Sequence, residues 1–210
     1  MSLTSQFSLQ PADTPERIDL PGAELLYFSD AGLRDTSALL QRLIAEVPWR
    51  EEHITVYGKT HMQPRLIAWF GDSGARYTYS GLSHSPQAWN AELARLRKQV
   101  EYLCRCDFNS VLLNYYRDGK DSMGLHADDE PELGPEPVIA SLSLGATRRM
   151  YFKHKTAGEL PTRSIDLPDG SLLVMRGATQ ENWKHGIRKT ARCHAPRINL
   201  TFRQVTPAGR

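Results

Sequence analysis

From about residue 107 to residue 205 the chain is a succession of short, strand-length runs: Asn109–Tyr116, Val138–Leu144, Arg149–Lys153, Arg163–Leu167, Ser171–Arg176 and Ile198–Val205. Gly, Pro or charged turns separate them. Strands this short and this numerous predict a sandwich or jelly roll rather than a parallel sheet with regular crossover helices. Thirteen prolines and fifteen glycines agree with many turns and argue against a helical bundle. Two helices are expected on the outside. The first runs from Asp35 to Val47, where Leu39, Leu40, Leu43 and Val47 keep helical spacing and Pro48 stops the pattern. The second runs from Ser85 or Pro86 to about Cys104, with Trp89, Leu93, Leu96, Val100 and Leu103 along one side. Residues 1–20 lack periodicity and predict a flexible arm, Ala23–Phe28 is strand-like, and residues 21–210 are expected to form one domain.

A chain of 210 residues, 40% hydrophobic, has enough material for one sizeable core. Its net charge of +2 does not by itself identify a nucleic-acid binder. No apolar run approaches the roughly 18 residues of a membrane span, and the N-terminus lacks a basic stretch followed by an apolar core. The expectation is a monomer without membrane contact, cytoplasmic or, in a prokaryote, nucleoid-associated. Cys104, Cys106 and Cys193 are too few and too scattered for a disulfide framework or a cysteine-rich zinc site.

The most informative local feature is His126-Ala127-Asp128. In extended backbone, side chains two positions apart leave the same face, so an imidazole and a carboxylate reach one ion. His185 lies beyond the Ser171–Arg176 run, and a jelly roll can return it beside that pair. Two nitrogen ligands and one oxygen leave three positions open on an octahedral iron, enough for a bidentate oxoacid and dioxygen. His-x-Asp alone is a weak signal that surface loops also carry. His53, His61, His84, His154 and His194 are other candidates, and His194 beside Cys193 offers a zinc alternative.

Arg197-Ile198-Asn199-Leu200-Thr201-Phe202-Arg203 alternates cleanly. Arg197, Asn199, Thr201 and Arg203 share one face, and Ile198, Leu200 and Phe202 the other. One reading is an edge strand with a wet polar face. The other turns that face into a jelly-roll cavity, where an arginine holds a carboxylate through two parallel charge-assisted hydrogen bonds. Arg197 and Arg203 stand about 20 Å apart along a straight strand, so they cannot grasp the same end of a small oxoacid. Asn114 and Tyr116 repeat the two-residue geometry and offer an amide and a phenol.

The ordered set of segments resembles the AlkB family of nucleic-acid dealkylating dioxygenases, especially the branch of the human DNA-repair homologues. It comprises Pro64-Arg65, Tyr77-Thr78-Tyr79-Ser80-Gly81, Asn114-Tyr115-Tyr116-Arg117-Asp118-Gly119, His126-Ala127-Asp128-Asp129-Glu130, Ile139–Gly145, Gly170–Met175, Trp183-Lys184-His185 and Arg197–Arg203, within about residues 50–205. The resemblance implies a double-stranded β-helix, or jelly roll, with a core at about 107–205 and an N-terminal nucleotide-recognition lid at about 50–84. It implies His126, Asp128 and His185 as Fe(II) ligands. Arg197 would pair with the distal carboxylate of 2-oxoglutarate, helped by Asn114 and Tyr116. Arg203 would act near the metal, with Asn199 and Thr201 on the same cofactor-facing side.

For the substrate, the resemblance implies Tyr79 stacking on a flipped base opposite His126, and Glu130 at the base edge. Tyr57, in Val56-Tyr57-Gly58-Lys59, would be a wedge that fills the vacated stack, where the relatives commonly carry Phe. Arg65, Arg76, Arg117, Lys120, Lys153, Lys155, Lys184, Arg188 and Lys189 are candidate phosphate contacts. The implied reaction is oxidative demethylation of N1-methyladenine and N3-methylcytosine in DNA. It would consume O2 and 2-oxoglutarate and release formaldehyde, succinate and CO2. Alkylated RNA, a protein side chain or a small molecule would use the same iron and oxoacid groups. A non-enzymatic nucleic-acid-binding module would need neither.

Overall fold

The computed structural model describes residues 14–56, 59–75, 77–79, 82–84 and 86–206. In chain order the elements among them are β1 (Glu16–Ile18), β2 (Glu24–Phe28), α1 (Thr36–Glu46), β3 (His53–Val56), β4 (Lys59–Met62), β5 (Leu66–Gly71), β6 (Tyr77–Tyr79), β7 (Leu82–His84) and α2 (Ala91–Cys104). There follow β8 (Ser110–Tyr116), β9 (Met123–His126), β10 (Ile139–Gly145), β11 (Arg148–His154), β12 (Arg163–Leu167), β13 (Leu172–Arg176), α3 (Thr179–Asn182), β14 (Trp183–Ile187) and β15 (Arg197–Arg203).

A seven-stranded major sheet has the order β1-β2-β13-β10-β15-β8-β5, and a four-stranded minor sheet the order β12-β11-β14-β9. Their named strand pairs are antiparallel, as are the separate hairpins β3-β4 and β6-β7. The jelly-roll expectation is met: two antiparallel sheets, with α1 and α2 packed against the major one.

Period-two alternation explains why the major sheet is buried on both faces. Val111 and Leu113 of β8, Ala140 and Leu142 of β10, Val174 of β13, and Ile198, Leu200 and Phe202 of β15 form one cluster with Leu39 and Leu43 of α1 and Leu93, Leu96 and Val100 of α2. The alternate residues Tyr116, Ile139, Leu173 and Met175 turn the other way and pack with Met150, Phe152, Trp183 and Ile187 of the minor sheet. Removing one of these fully buried leucines costs about 2–5 kcal/mol, because the lost transfer energy adds to the cavity left behind.

Of the two readings of Arg197–Arg203, the edge strand falls: β15 pairs with β10 on one side and β8 on the other, and all seven residues are buried. Two expectations are corrected. The expected arm at 1–20 is already ordered by residue 16, because Glu16–Ile18 pairs with Leu25–Tyr27; residues 1–13 lie outside the described residues. Helix α2 begins at Ala91 rather than near Ser85, with the Asn90 side chain accepting from the Leu93 N–H at 2.8 Å. The preceding segment extends the sheet instead. Gln87 exchanges backbone hydrogen bonds with the margin of β5, and the Trp89 indole donates to Asp72. Helix α1 starts where expected, with Asp35 accepting from the Ala38 N–H at 3.1 Å.

Candidate active site

Strand β9 ends on His126, and Asp128 follows two residues beyond it; β14 carries His185. The two strands pair with His126 directly opposite His185, followed by a register shift towards Met123. Gly186 permits that approach: a Cβ there would sit 2.8 Å from the carbonyl oxygens of Met123 and Gly124. The imidazole centroids are 4.4 Å apart, and the ligand atoms of His126, Asp128 and His185 all lie within 4.8 Å of one another.

Each ligand is held from behind. The His126 Nδ1–H donates to the Gly124 carbonyl at 3.0 Å, which fixes the tautomer and leaves Nε2 as the ligand. Asp128 has its backbone N–H bonded to Gln180 Oε1 at 3.0 Å, and its Oδ1 accepts from Arg203 Nη2 at 2.6 Å. The other oxygen, Oδ2, is buried without a hydrogen-bond partner among the described residues and lies 3.7 Å from His185 Nε2. A buried carboxylate oxygen aimed between two imidazoles is costly unless a cation shares it. Two imidazoles and one carboxylate are the donor set of a non-haem iron(II) site with open positions, and these residues fit that ion.

The electrostatics prepare the ligands. Burial raises the Asp128 pKa, but the Arg203 guanidinium, with the two histidines, overrides it and holds the carboxyl at about 2. Burial and the neighbouring His126 push His185 down to about 3. At neutral pH both groups are therefore ready to coordinate without losing a proton. Both folded values lie below the unfolded ones, 3.8 and 6.5, so the unfolded chain binds more protons as pH falls. Stability of the metal-free protein should decline from about pH 6.5 towards 3 through His185, with a further loss between about 4 and 2 through Asp128. Denaturant titrations across that range check this, and a flat profile would contradict it. Mn(II), by binding the native state alone, should oppose the decline above pH 5.

A cavity of about 360 Å³, counted to its open mouth, adjoins the triad. Asn114, Tyr116, Asn199, Thr201 and Arg203 line it with the three ligands, and Met123, Met150 and Met175 supply apolar wall. The polar side of β15 is braced: Asn199 Nδ2 donates to Ser141 Oγ at 2.8 Å and to the Leu142 carbonyl at 3.0 Å, and Thr201 Oγ1 donates to Asn199 Oδ1 at 3.1 Å. Arg197 is set behind Tyr116, its guanidinium 5.3 Å from that ring's centroid. Its Nη2 donates to Ser143 Oγ at 2.9 Å, while Nε and Nη1 are buried with no hydrogen-bond partner among the described residues. A buried guanidinium with hydrogen-bonding capacity left over matches a carboxylate.

The expected substrate residues divide. Arg65 is not on an exposed rim: it is buried, and its Nε donates to Asn114 Oδ1 at 2.6 Å. Glu130 is half-buried, with Oε2 enclosed and without a hydrogen-bond partner among the described residues. Tyr79 ends β6, but its side chain lies outside what is described, as does Tyr57 entirely. Arg117 is bound to Asp121 and Lys155 to Asp129, whereas Lys153, Lys184 and Arg188 are exposed on the outer face of the minor sheet. Arg148 was missed. It is buried at the start of β11, in phase with Met150 and Phe152, and a charge on the apolar phase of a strand was the signal available.

Two facing antiparallel sheets enclosing two histidines, one carboxylate and a buried arginine define a jelly-roll, metal-dependent oxygenase. The profile described as 2OG-Fe(II) oxygenase superfamily matches residues 27–203. The chain is 38% identical to mouse alpha-ketoglutarate-dependent dioxygenase alkB homolog 3, over 96% of this chain and 77% of that protein. It is 39% identical to human DNA oxidative demethylase ALKBH2, over 88% of this chain and 74% of that protein. Among solved structures, OsALKBH1 superposes with a TM-score of 0.61 at 17% identity, covering 91% of this chain and 100% of that one, a likeness of fold. The chain belongs to the 2OG-Fe(II) oxygenase superfamily, in its AlkB branch.

Proposed function

We propose that the protein oxidatively demethylates alkylated bases in DNA, N1-methyladenine and N3-methylcytosine among them. The observation that carries this reading is the triad, with Asp128 pinned by Arg203 beside a pocket for a small oxoacid, in a chain similar to a DNA oxidative demethylase. Iron(II) with 2-oxoglutarate and dioxygen supplies oxidation of the alkyl carbon beside the base nitrogen, with formaldehyde, succinate and CO2 as products. The chain's own residues do the rest. His126, Asp128 and His185 hold the metal on one side. Arg197 takes the distal carboxylate, Asn114 and Tyr116 orient the acid, and the methionines exclude water.

The outer face of the minor sheet supports a polyanionic substrate. Lys153 and Lys184 stand directly opposite each other on β11 and β14, a like-charge pair that repels unless an anion shares it. Arg188 lies 4.1 Å over the Tyr151 ring on the same face. On this reading Tyr79 stacks on the flipped base and Glu130 meets its edge. The protein acts as a monomer wherever its DNA is, in the cytoplasm or nucleoid.

With Fe(II), ascorbate and 2-oxoglutarate, a panel of methylated and unmethylated oligonucleotides should yield repaired base and formaldehyde only from the methylated ones. Succinate formation without repair of any DNA lesion would transfer the chain to another substrate class. Tyr57→Ala should lower repair of duplex DNA about tenfold more than repair of single strands, since stacking in the vacated site is worth about 1–3 kcal/mol. Equal losses on both would remove Tyr57 as the wedge.

A further inference from the structure

We infer that Arg148 is a positioning residue of the oxoacid pocket, fastening Tyr116 and the two histidine-bearing strands into one unit. This rests on the dioxygenase reading of the same site. Arg148 opens β11, away from the triad, and is buried. Its Nη1 donates to the Asp118 carbonyl at 3.1 Å; its Nη2 donates to the carbonyls of Asp121 at 2.9 Å and Arg188 at 2.8 Å. The first two carbonyls belong to the connection from β8 to β9, between Tyr116 and His126. The third belongs to the connection from β14 to β15, between His185 and Arg197.

Those two connections are already laced together. Gly119 N–H donates to the Cys193 carbonyl at 2.9 Å and Thr190 N–H to the Gly119 carbonyl at 2.8 Å. They are packed so closely that a Cβ on Gly119 would fall 2.0 Å from the Thr190 oxygen. Arg148 spans this crossing and also lies 5.5 Å from the Tyr116 ring centroid, while Arg197 lies 5.3 Å from the same centroid. Tyr116 therefore carries two buried guanidiniums. One cation has its hydrogen bonds committed to backbone; the other, Arg197, keeps two N–H groups for a ligand. The committed cation fixes the aromatic wall and adds positive potential where a second carboxylate would sit, which favours a dianionic oxoacid over a monoanionic one. Lysine at this position keeps the charge but offers its three donors from one nitrogen, not from the two terminal nitrogens that Arg148 uses.

The test measures binding to the Mn(II)-loaded protein by calorimetry, without turnover. The full-length chain should bind 2-oxoglutarate much more tightly than 2-oxobutyrate, which lacks the distal carboxylate. If it binds no 2-oxoglutarate, the dioxygenase reading fails first. Arg148→Lys and Arg148→Met should weaken 2-oxoglutarate binding about tenfold or more while changing 2-oxobutyrate binding less, so the preference shrinks. A merely structural role would lower the active fraction and leave the ratio of the two affinities unchanged. Folded variants that keep both 2-oxoglutarate affinity and that ratio within twofold would overturn the inference. Should neither variant fold, amide exchange in the unaltered protein decides. Adding 2-oxoglutarate to the Mn(II) form should slow exchange at Gly119 and Thr190 about tenfold, and unchanged exchange there would overturn the coupling.

Discussion

Asp128→Ala is expected to cut coupled formation of formaldehyde and succinate by about a thousandfold or more, and to destabilise the fold at the same time. The two effects have one origin. Asp128 supplies the only carboxylate of the triad, so its loss leaves a metal with two neutral imidazoles and no charge compensation. The same substitution takes away the oxygen that Arg203 bonds at 2.6 Å inside the protein. Breaking a buried ion pair from one side costs about 3–5 kcal/mol, because the surviving charge keeps its desolvation penalty. Asp128→Asn separates the effects: it preserves shape and one acceptor oxygen, so it should melt closer to the parent while still failing to hold Fe(II). Metal content, melting temperature and formaldehyde release measured on both variants check this. A folded Asp128→Ala protein that retains a tenth of parental turnover would remove Asp128 from the ligand set.

The His126–Asp128 pair and the strand bearing Arg197 were legible because each rests on a short-range rule, whereas His185, far along the chain, joined the pair only through the resemblance. The two-residue repeat puts His126 with Asp128 and separates Arg197, Asn199, Thr201 and Arg203 from Ile198, Leu200 and Phe202, and the structure keeps both divisions. The same rule could not say whether β15 was an edge or a centre, since that depends on β8 and β10, more than fifty residues earlier in the chain. Pro86 misled for a related reason. A proline suits the first turn of a helix, but Gln87 pairs with the margin of β5, a tertiary contact that delays the helix until Asn90 can cap it. Arg65 reads as a surface cation until Asn114 is seen to receive its Nε–H. Strand β14 escaped notice because Trp183-Lys184-His185-Gly186-Ile187 mixes a charge and a glycine into five residues. Its lysine faces out and its glycine is needed for close approach to β9.

Arg197→Met should weaken 2-oxoglutarate binding severely and leave the metal-free protein as stable as the parent, or more so. In most buried ion pairs stability and function fall together; here they should part. Burial lowers the Arg197 pKa to about 10 from 12.5, which places the penalty on the charged form at about 3 kcal/mol. The serine at 2.9 Å answers only one of the guanidinium's nitrogens, and Nε and Nη1 have no hydrogen-bond partner among the described residues. Methionine fills similar space and removes that penalty, so the fold gains what the site loses. The site loses a bidentate, charge-assisted clasp, and the apparent KM for 2-oxoglutarate should rise about a hundredfold or more. Arg197→Lys should recover little, because one ammonium cannot present two parallel N–H groups. Iron affinity, set by His126, Asp128 and His185, should stay within a few-fold of the parent in both variants. A methionine variant that melts well below the parent while keeping its 2-oxoglutarate KM would mean that Arg197 braces the sheet, and that the carboxylate is held elsewhere.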